Sequence, residues 1–517
     1  MNPYLLSLIF TTVFFYSSQA QRFDWAQEVV STTWSYPSTC KSISYDSIQD
    51  CIYISGRQNS NEFIRKVSAT GTVLWQKNFA SRVHSGILTH DSQGNVYMVG
   101  AFTGTIDLDP SPHPNDTFWV HNPPNQLSFN SNCFVLKLTS NGEFVWGTTL
   151  NRQQRGQADA IQVDNQGNVY VVGVAGGINF IEKIDAQGHF VWKHELGTCR
   201  PISIYNSFYY HTNNIAIDDN YLYIIGDYEG TVDLDPSPNS SFMVQSNGEA
   251  DNFLLKLDLN GNFIWANSFG NEYREHTGGI SVDAQGMIYT TGVYFVQATN
   301  FVDRGPFYYL RKHSAQGREL VFQPIHQNIL ALDASQNGYL YATGEVGINT
   351  GNTDVIIQKW DTDNTLNLRW TQQIISSYKD AGLGIAVTPS EDIYTVGYFE
   401  GIVDFDLGAG TYYLRATGQR GGFILKQAPQ NIAIPYLQSL KGIELYPNPT
   451  QGTVRIDSEE IIEGGTIELL NTKGQSFYRS PLNDNYFDLD LSPYPSGVYL
   501  VRIRTNEKTA TLKVVKK

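Results

Sequence analysis

Four of the ten histidines in this chain stand at one repeated position. Counting seven residues back from Asp91, Asp218, Asp283 and Asp333 gives His84, His211, His276 and His326, with Gln157 at the matching place before Asp164. Imidazoles gathered from several repeats would bind a transition metal such as zinc or copper, or pass protons near neutral pH. The competing reading is that repeats copy a residue for structural reasons. Three acidic pairs recur as well: Asp107/Asp109, Asp233/Asp235 and Asp404/Asp406. Alternate residues of an extended segment share a face, so each pair could present two carboxylates to calcium. Equally, such aspartates cap backbone amides in turns. Tyr273 and Arg274, with Tyr205, Phe208, Tyr209 and Tyr210, give long connections a polar and aromatic content suited to a carbohydrate or protein ligand.

Other chemistry is excluded by what the sequence lacks. It has no Gly-x-Ser-x-Gly, His-Glu-x-x-His or Gly-x-x-x-x-Gly-Lys, and no Cys-x-x-Cys. Asp361-Thr362-Asp363-Asn364 begins like a calcium loop but lacks its glycine and closing glutamate. No motif demands a cofactor, which leaves calcium or a transition metal as the only candidates. A formal charge of −15 argues against a nucleic-acid partner. Cys40 and Cys51 flank a hairpin and could bridge; buried thiols are the alternative.

The elements that must position these residues come from a repeat. Within the same apolar surroundings Tyr-x-x-Gly recurs seven times, at Tyr53/Gly56, Tyr97/Gly100, Tyr170/Gly173, Tyr223/Gly226, Tyr289/Gly292, Tyr341/Gly344 and Tyr394/Gly397. The spacing suits four-stranded propeller blades with variable loops. In each unit a first strand ends in aspartate (Asp46, Asp91, Asp164, Asp218, Asp283, Asp333) or in Thr388. A third strand carries Phe-x-x-Lys, as in Phe63/Lys66 or Phe134/Lys137, with Tyr309/Lys312 and Ile356/Lys359 in units five and six; a fourth carries tryptophan, as in Trp75 or Trp146, with Phe322 instead in unit five. The seventh unit lacks that fourth strand, and Phe23-Asp24-Trp25-Ala26-Gln27 matches Phe263-Ile264-Trp265-Ala266-Asn267. The expectation is an all-β chain: a seven-bladed β-propeller closed by its own N-terminal strand, which leaves no free sheet edge. Turns such as Gln93-Gly94-Asn95 keep one face short, while residues 111–132, 193–214 and 266–279 emerge on the other, where binding normally sits. Over residues 22–428 the units resemble extracellular β-propeller repeat proteins of Gram-negative bacteria.

The two ends carry address signals. Residues 5–15 are apolar but too short to span a bilayer, and Ser18-Gln19-Ala20 suits cleavage, so residues 1–20 read as a signal peptide. No later segment is long and apolar enough for a membrane span. The propeller is expected over 21–428, a linker over 429–440, and a small immunoglobulin-like β-sandwich over 441–517. That last segment resembles the type A sorting domain of the type IX secretion system, through Tyr446-Pro447-Asn448-Pro449, Gly452, Gly497-Val498-Tyr499 and the closing strand with Lys516 and Lys517. The resemblance implies the type IX machinery as a partner, transit through the periplasm, and removal of this domain on arrival outside the outer membrane. The leading expectation is a secreted or surface-displayed, non-catalytic binding propeller. An extracellular polysaccharide hydrolase or lyase is the alternative, and a structural component of a surface or adhesion layer the third.

Overall fold

Each repeat becomes one four-stranded antiparallel sheet, for reasons written in its second strand. The computed structural model describes residues 21–30, 37–79, 81–122, 131–150, 156–198, 215–295, 306–334, 338–347, 352–363, 365–408, 410–429, 438–439, 443–458, 465–471, 476–482, 484–504 and 508–517. The tyrosines of Tyr-x-x-Gly are buried, and in all seven repeats the lysine of the third strand lies over the ring, 4.8–5.9 Å from its centroid. Tyr97, Tyr170, Tyr223 and Tyr289 donate their hydroxyls to the first-strand aspartates Asp91, Asp164, Asp218 and Asp283 at 2.7–2.9 Å. Those aspartates also cap the following turn, as Asp91 accepts the amides of Gln93 and Asn95. The glycine three residues on permits close approach of the bulged first strand: a Cβ at Gly344 would lie 1.9 Å from the carbonyl oxygen of Asn328.

Among the described residues there are seven such four-stranded sheets. Their first strands touch in succession: Thr39–Asp46, Val83–His90, Gly156–Val163, Ile215–Ile217, Glu275–Val282, Asn328–Ala334 and Ala381–Val387, the last returning to the first. This closed ring is a β-propeller. Tryptophans of the fourth strands tie neighbours together. The indole of Trp75 donates to Ser140 O and that of Trp146 to Ala186 O, both at 3.0 Å and both in the next sheet's turn. At the seam, Arg22–Val29 pairs antiparallel with Gly421–Ala428 and completes the seventh sheet. From there Trp25 donates to Ala69 O of the first sheet at 3.0 Å, as its counterparts do elsewhere.

One sequence alternative is resolved and one expectation changes. Cys40 and Cys51 are buried, unbridged thiols. Cys40 pairs with Gly56 and Cys51 with Asp46, so the two sit at opposite ends of the hairpin, roughly 17 Å apart along the strand, far beyond disulfide reach. Asp333 is out of step: it lies opposite Tyr341, whereas Asp91 and Asp283 lie two residues beyond the partners of their tyrosines, Thr89 and Ser281. Asp333 is therefore an inner-strand side chain accepting the Val387 amide at 2.7 Å, not a turn cap.

The connections between second and third strands in sheets two, four and seven fold back as two-stranded ribbons. These pair Thr105–Asp107 with Trp119–His121, Thr231–Asp233 with Met243–Gln245, and Ile402–Asp404 with Tyr413–Arg415. Each plugs the outer gap between its own sheet and the preceding one: Ile106, Leu108 and Val120 share a core with Tyr53 and Phe134, and Val403, Phe405 and Leu414 with Tyr341 and Phe423.

The chain divides into two units, Met1–Pro429 and Gln430–Lys517. In the second, a five-stranded and a three-stranded sheet enclose Val454, Ile456, Ile467, Leu469, Leu489, Val501, Ile503 and Val514. Gln438–Ser439, within the expected linker, pairs in parallel with the closing strand. No helix among the described residues is long and apolar enough to cross a membrane.

Candidate functional site

The repeated histidines have separate surroundings. His84 and His276 do share a register position, opposite Ala101 and Val293, each the residue after a repeat glycine. In the sixth sheet that position is held by Asn328, opposite Glu345; His326 lies two residues upstream and is exposed. The shift has the same origin as that of Asp333, from which it was counted. His211 lies outside the described residues. Burial and the positive charges of Arg57 and Lys41 hold His84 below the usual imidazole range. Among the described residues, no three His, Cys, Asp or Glu side chains gather closely enough to hold a metal ion.

His276 instead belongs to a buried polar cluster where the fourth and fifth sheets meet. Its Nδ1 lies 3.0 Å from Asp227 Oδ2, and the edge of Phe295 packs against the imidazole. Asp227 also accepts the Thr277 amide at 2.9 Å and the Asn252 side chain at 3.0 Å. Asn252 in turn accepts the hydroxyl of Tyr309 at 2.6 Å, so the aspartate is anchored from both sheets. Beside it, Glu275 and Asp251 are 2% and 0% exposed. The Glu275 amide donates to Ala250 O, and Ala250 and Arg274 form a parallel bridge, which sets the two acids next to each other. Glu275 accepts the Asn271 amide and Asp251 the Asn247 amide, each through one oxygen; Glu275 Oε2 and Asp251 Oδ1 are buried with no hydrogen-bond partner among the described residues.

Electrostatics follow from that burial. Desolvation pushes Glu275 up to about 7; the negative charges of Asp251 and Asp227 add to it, while the Asn271 amide and Arg311 oppose it. Burial also raises Asp251, against its bonds from Asn247. The arrangement holds a carboxyl raised to about 7 one residue before His276, within the field of Asp227. Arg274 sits at the rim with Glu229 and Glu249 at 3.9 and 3.5 Å, and the Tyr273 hydroxyl donates to Glu272 at 2.7 Å. Of the sequence candidates, His276, Tyr273 and Arg274 fall in this one region, the last two in its short connecting loop; His84 and His326 belong to other junctions. Asp227, Asp251 and Glu275 were not anticipated. One signal existed: Asp227 directly follows Gly226 of Tyr-x-x-Gly, as Glu345 follows Gly344.

The acidic pairs act as caps. Asp107 Oδ1 accepts the amides of Asp109 and Phe118, and Asp109 that of Ser111. Asp233 with Asp235, and Asp404 with Asp406, repeat the pattern at their own ribbons.

In the C-terminal unit the Tyr446–Pro449 motif is laid against the last strand. Asn448 donates to Lys513 O at 2.8 Å and accepts the Val515 amide at 2.9 Å. Thr450 N donates to Val515 O, and Lys517 N to Thr450 O, so the chain end is clasped on both sides of Lys516. Lys516 Nζ reaches Ser492 O at 3.0 Å and also Tyr494 O. The Tyr499 hydroxyl donates to Pro495 O at 2.7 Å, and Tyr446 donates to Asp457. Gly452 O accepts the Leu491 amide at 3.0 Å, and Gly497 opens the strand that pairs with the closing one, opposite Lys516.

Comparison with known proteins agrees with this division. Residues 444–517 match the secretion system C-terminal sorting domain family. No curated protein matches the chain. Among solved structures, the WD40 domain of Neurospora crassa Pan2 is similar at 10% identity, with 80% of this chain and 98% of that chain covered and a TM-score of 0.42. A protein of unknown function from Bacteroides caccae is similar at 12% identity, with 56% and 82% covered and a TM-score of 0.30. A polysaccharide lyase, an ulvan lyase, is similar at 10% identity, with 80% and 98% covered and a TM-score of 0.37. The chain is a β-propeller protein that its C-terminal sorting domain directs through type IX secretion to the cell surface or the extracellular space.

Proposed function

We propose that the exported propeller is a non-catalytic binding module that engages a glycan or protein ligand through its long-loop face. The observation that carries this reading is the contrast between its two faces. Turns from first to second strand hold three to five residues in every sheet, and most are locked by one capping scheme. Connections from second to third strand, on the opposite face, run from two residues in sheet three to 29 in sheet two. Variable connections on a rigid scaffold are where recognition is built. A binding screen of the secreted chain on glycan and protein arrays tests the proposal. Loss of the hits on substituting Tyr273 and Arg274, with His276 left intact, is the expected result; hits unaffected by substitutions anywhere on the long-loop face would exclude it.

A second reading, a hydrolase or lyase acting on extracellular polysaccharide, is favoured by one feature: Glu275, raised to about 7, beside the Asp227–His276 pair. Product release from polysaccharides by the wild type, abolished in Glu275→Gln, would establish it over the first.

A further inference from the structure

The three ribbons share an arrangement that the cores beneath them do not require. In each, two consecutive large residues lead into the returning strand, the second being its first residue: Phe118-Trp119, Phe242-Met243 and Tyr412-Tyr413. The first of each pair packs on an aromatic ring at the start of the outermost strand. Phe118 meets Phe144 at 5.1 Å, Phe242 meets Phe263 at 5.5 Å, and Tyr412 meets Phe23 at 5.0 Å. Consecutive strand residues point to opposite faces, so the second is turned outward. Trp119, Met243 and Tyr413 are accordingly 56%, 58% and 64% exposed.

Their neighbours on the outward face also recur. Directly opposite stand Asp107, Asp233 and Asp404, whose Oδ1 atoms hold the ribbon amides. Two residues further on stand His121, Gln245 and Arg415, all exposed donors, and Arg415 has no ion pair among the described residues. Each patch thus combines an exposed apolar group, a carboxylate oxygen and a hydrogen-bond donor across three residue pairs. At about 3.4 Å per residue it is roughly 10 Å long. That is far below the ~1,000 Å² of a stable protein interface, but it fits one sugar ring, whose C–H face lies on an aromatic ring while its hydroxyls meet polar groups at the edge.

We propose that the outward faces of the ribbons on sheets two and seven are carbohydrate subsites for an uncharged polysaccharide. This rests on the binding reading above and adds a contact at the ribbons to that of the loops. Stacking is supplied by Trp119 and Tyr413; hydroxyl contacts come from Asp107 with His121, and from Asp404 with Arg415. The polymer is uncharged because the chain carries −15 overall and each subsite holds a carboxylate, so a polyanion is repelled. A polymer touching two subsites gains by multivalency what each lacks alone. The ribbon of sheet four, with Met243 in place of a ring, is the internal control.

The test is affinity electrophoresis and calorimetry of the full secreted chain with β-glucan, xyloglucan, mannan and dextran, and with alginate as the polyanion. At least one uncharged polymer binds and alginate does not. Trp119→Ala and Tyr413→Ala each weaken binding by roughly tenfold, the double variant by roughly a hundredfold, and Met243→Trp strengthens it. Met243→Ala leaves it unchanged. All of these positions are exposed, so unchanged melting temperatures verify folding. Binding to none of the uncharged polymers overturns the proposal. Equal binding by wild type and the double variant also overturns it, while leaving the long-loop reading intact.

Discussion

Glu275 is held in its acid form by its surroundings up to about pH 7, whereas the unfolded side chain titrates at about 4.3. Between those values the folded state binds the extra proton, so this group's contribution to stability falls as pH rises through the window and is constant above it. Glu275→Gln removes the dependence. The difference in unfolding free energy between variant and wild type, from denaturation at each pH, is expected to shift in the variant's favour from pH 5 to pH 8, by at most about 3 kcal/mol. A difference that stays the same at both pH values would contradict the assignment. Gly344 gives a second residue-scale prediction. A methyl group there meets the Asn328 carbonyl, so Gly344→Ala is expected to cost roughly 2–4 kcal/mol. At Gly230, φ is +69° with open space around the position, so alanine there costs only the backbone term of about 1 kcal/mol. Chemical denaturation of the two variants separates close approach from conformation. These residues also mark the limit of what the sequence shows. The histidine position was visible because His84 and His276 repeat in register. Their partners were not, since Asp227, Asp251 and Glu275 come from three strands of two repeats and meet only once the sheets are stacked.

Strands were far more legible than contacts between them. Tyr-x-x-Gly and the third-strand lysine mark every sheet, and the tryptophan strand every sheet but the fifth, because one packing scheme of tyrosine under lysine is used seven times. The ribbons escaped notice because three residue pairs are too short to show alternation, and residues 111–132 read as open loop. The sixth sheet was misread by two residues because an aspartate happens to fall inside its first strand. Closure supplies the element-scale prediction. Deleting residues 21–30 removes Trp25 and its bond to Ala69 O, and uncovers the edge of Gly421–Ala428. Loss of cooperative unfolding, or aggregation, is expected by calorimetry and light scattering. Trp75→Ala breaks an equivalent bond inside the ring and should lower stability by about 2–4 kcal/mol while unfolding stays cooperative. Identical melting of the deletion and the wild type would mean that the first strand is dispensable.

At the scale of the whole molecule the two units have separate cores, so the sorting domain can be removed without opening the propeller. A chain lacking residues 441–517 is expected to fold and to accumulate in the periplasm of its host. Fractionation with antibody against the propeller checks this, and surface labelling of the truncated chain would refute it. The pairing of Arg22 with Ala428 has a mechanical consequence. Ala428 leads towards the C-terminal unit, and its strand, Gly421–Ala428, lies between Arg22–Val29 and Ile393–Phe399 rather than at an edge. A tug on the C-terminal side while the propeller grips something therefore loads two ladders of hydrogen bonds along their length, many bonds at once. A tug on the N-terminal side, which leaves from the same end, loads only one ladder. The strand that closes the ring thus also reinforces the strand that would bear tension.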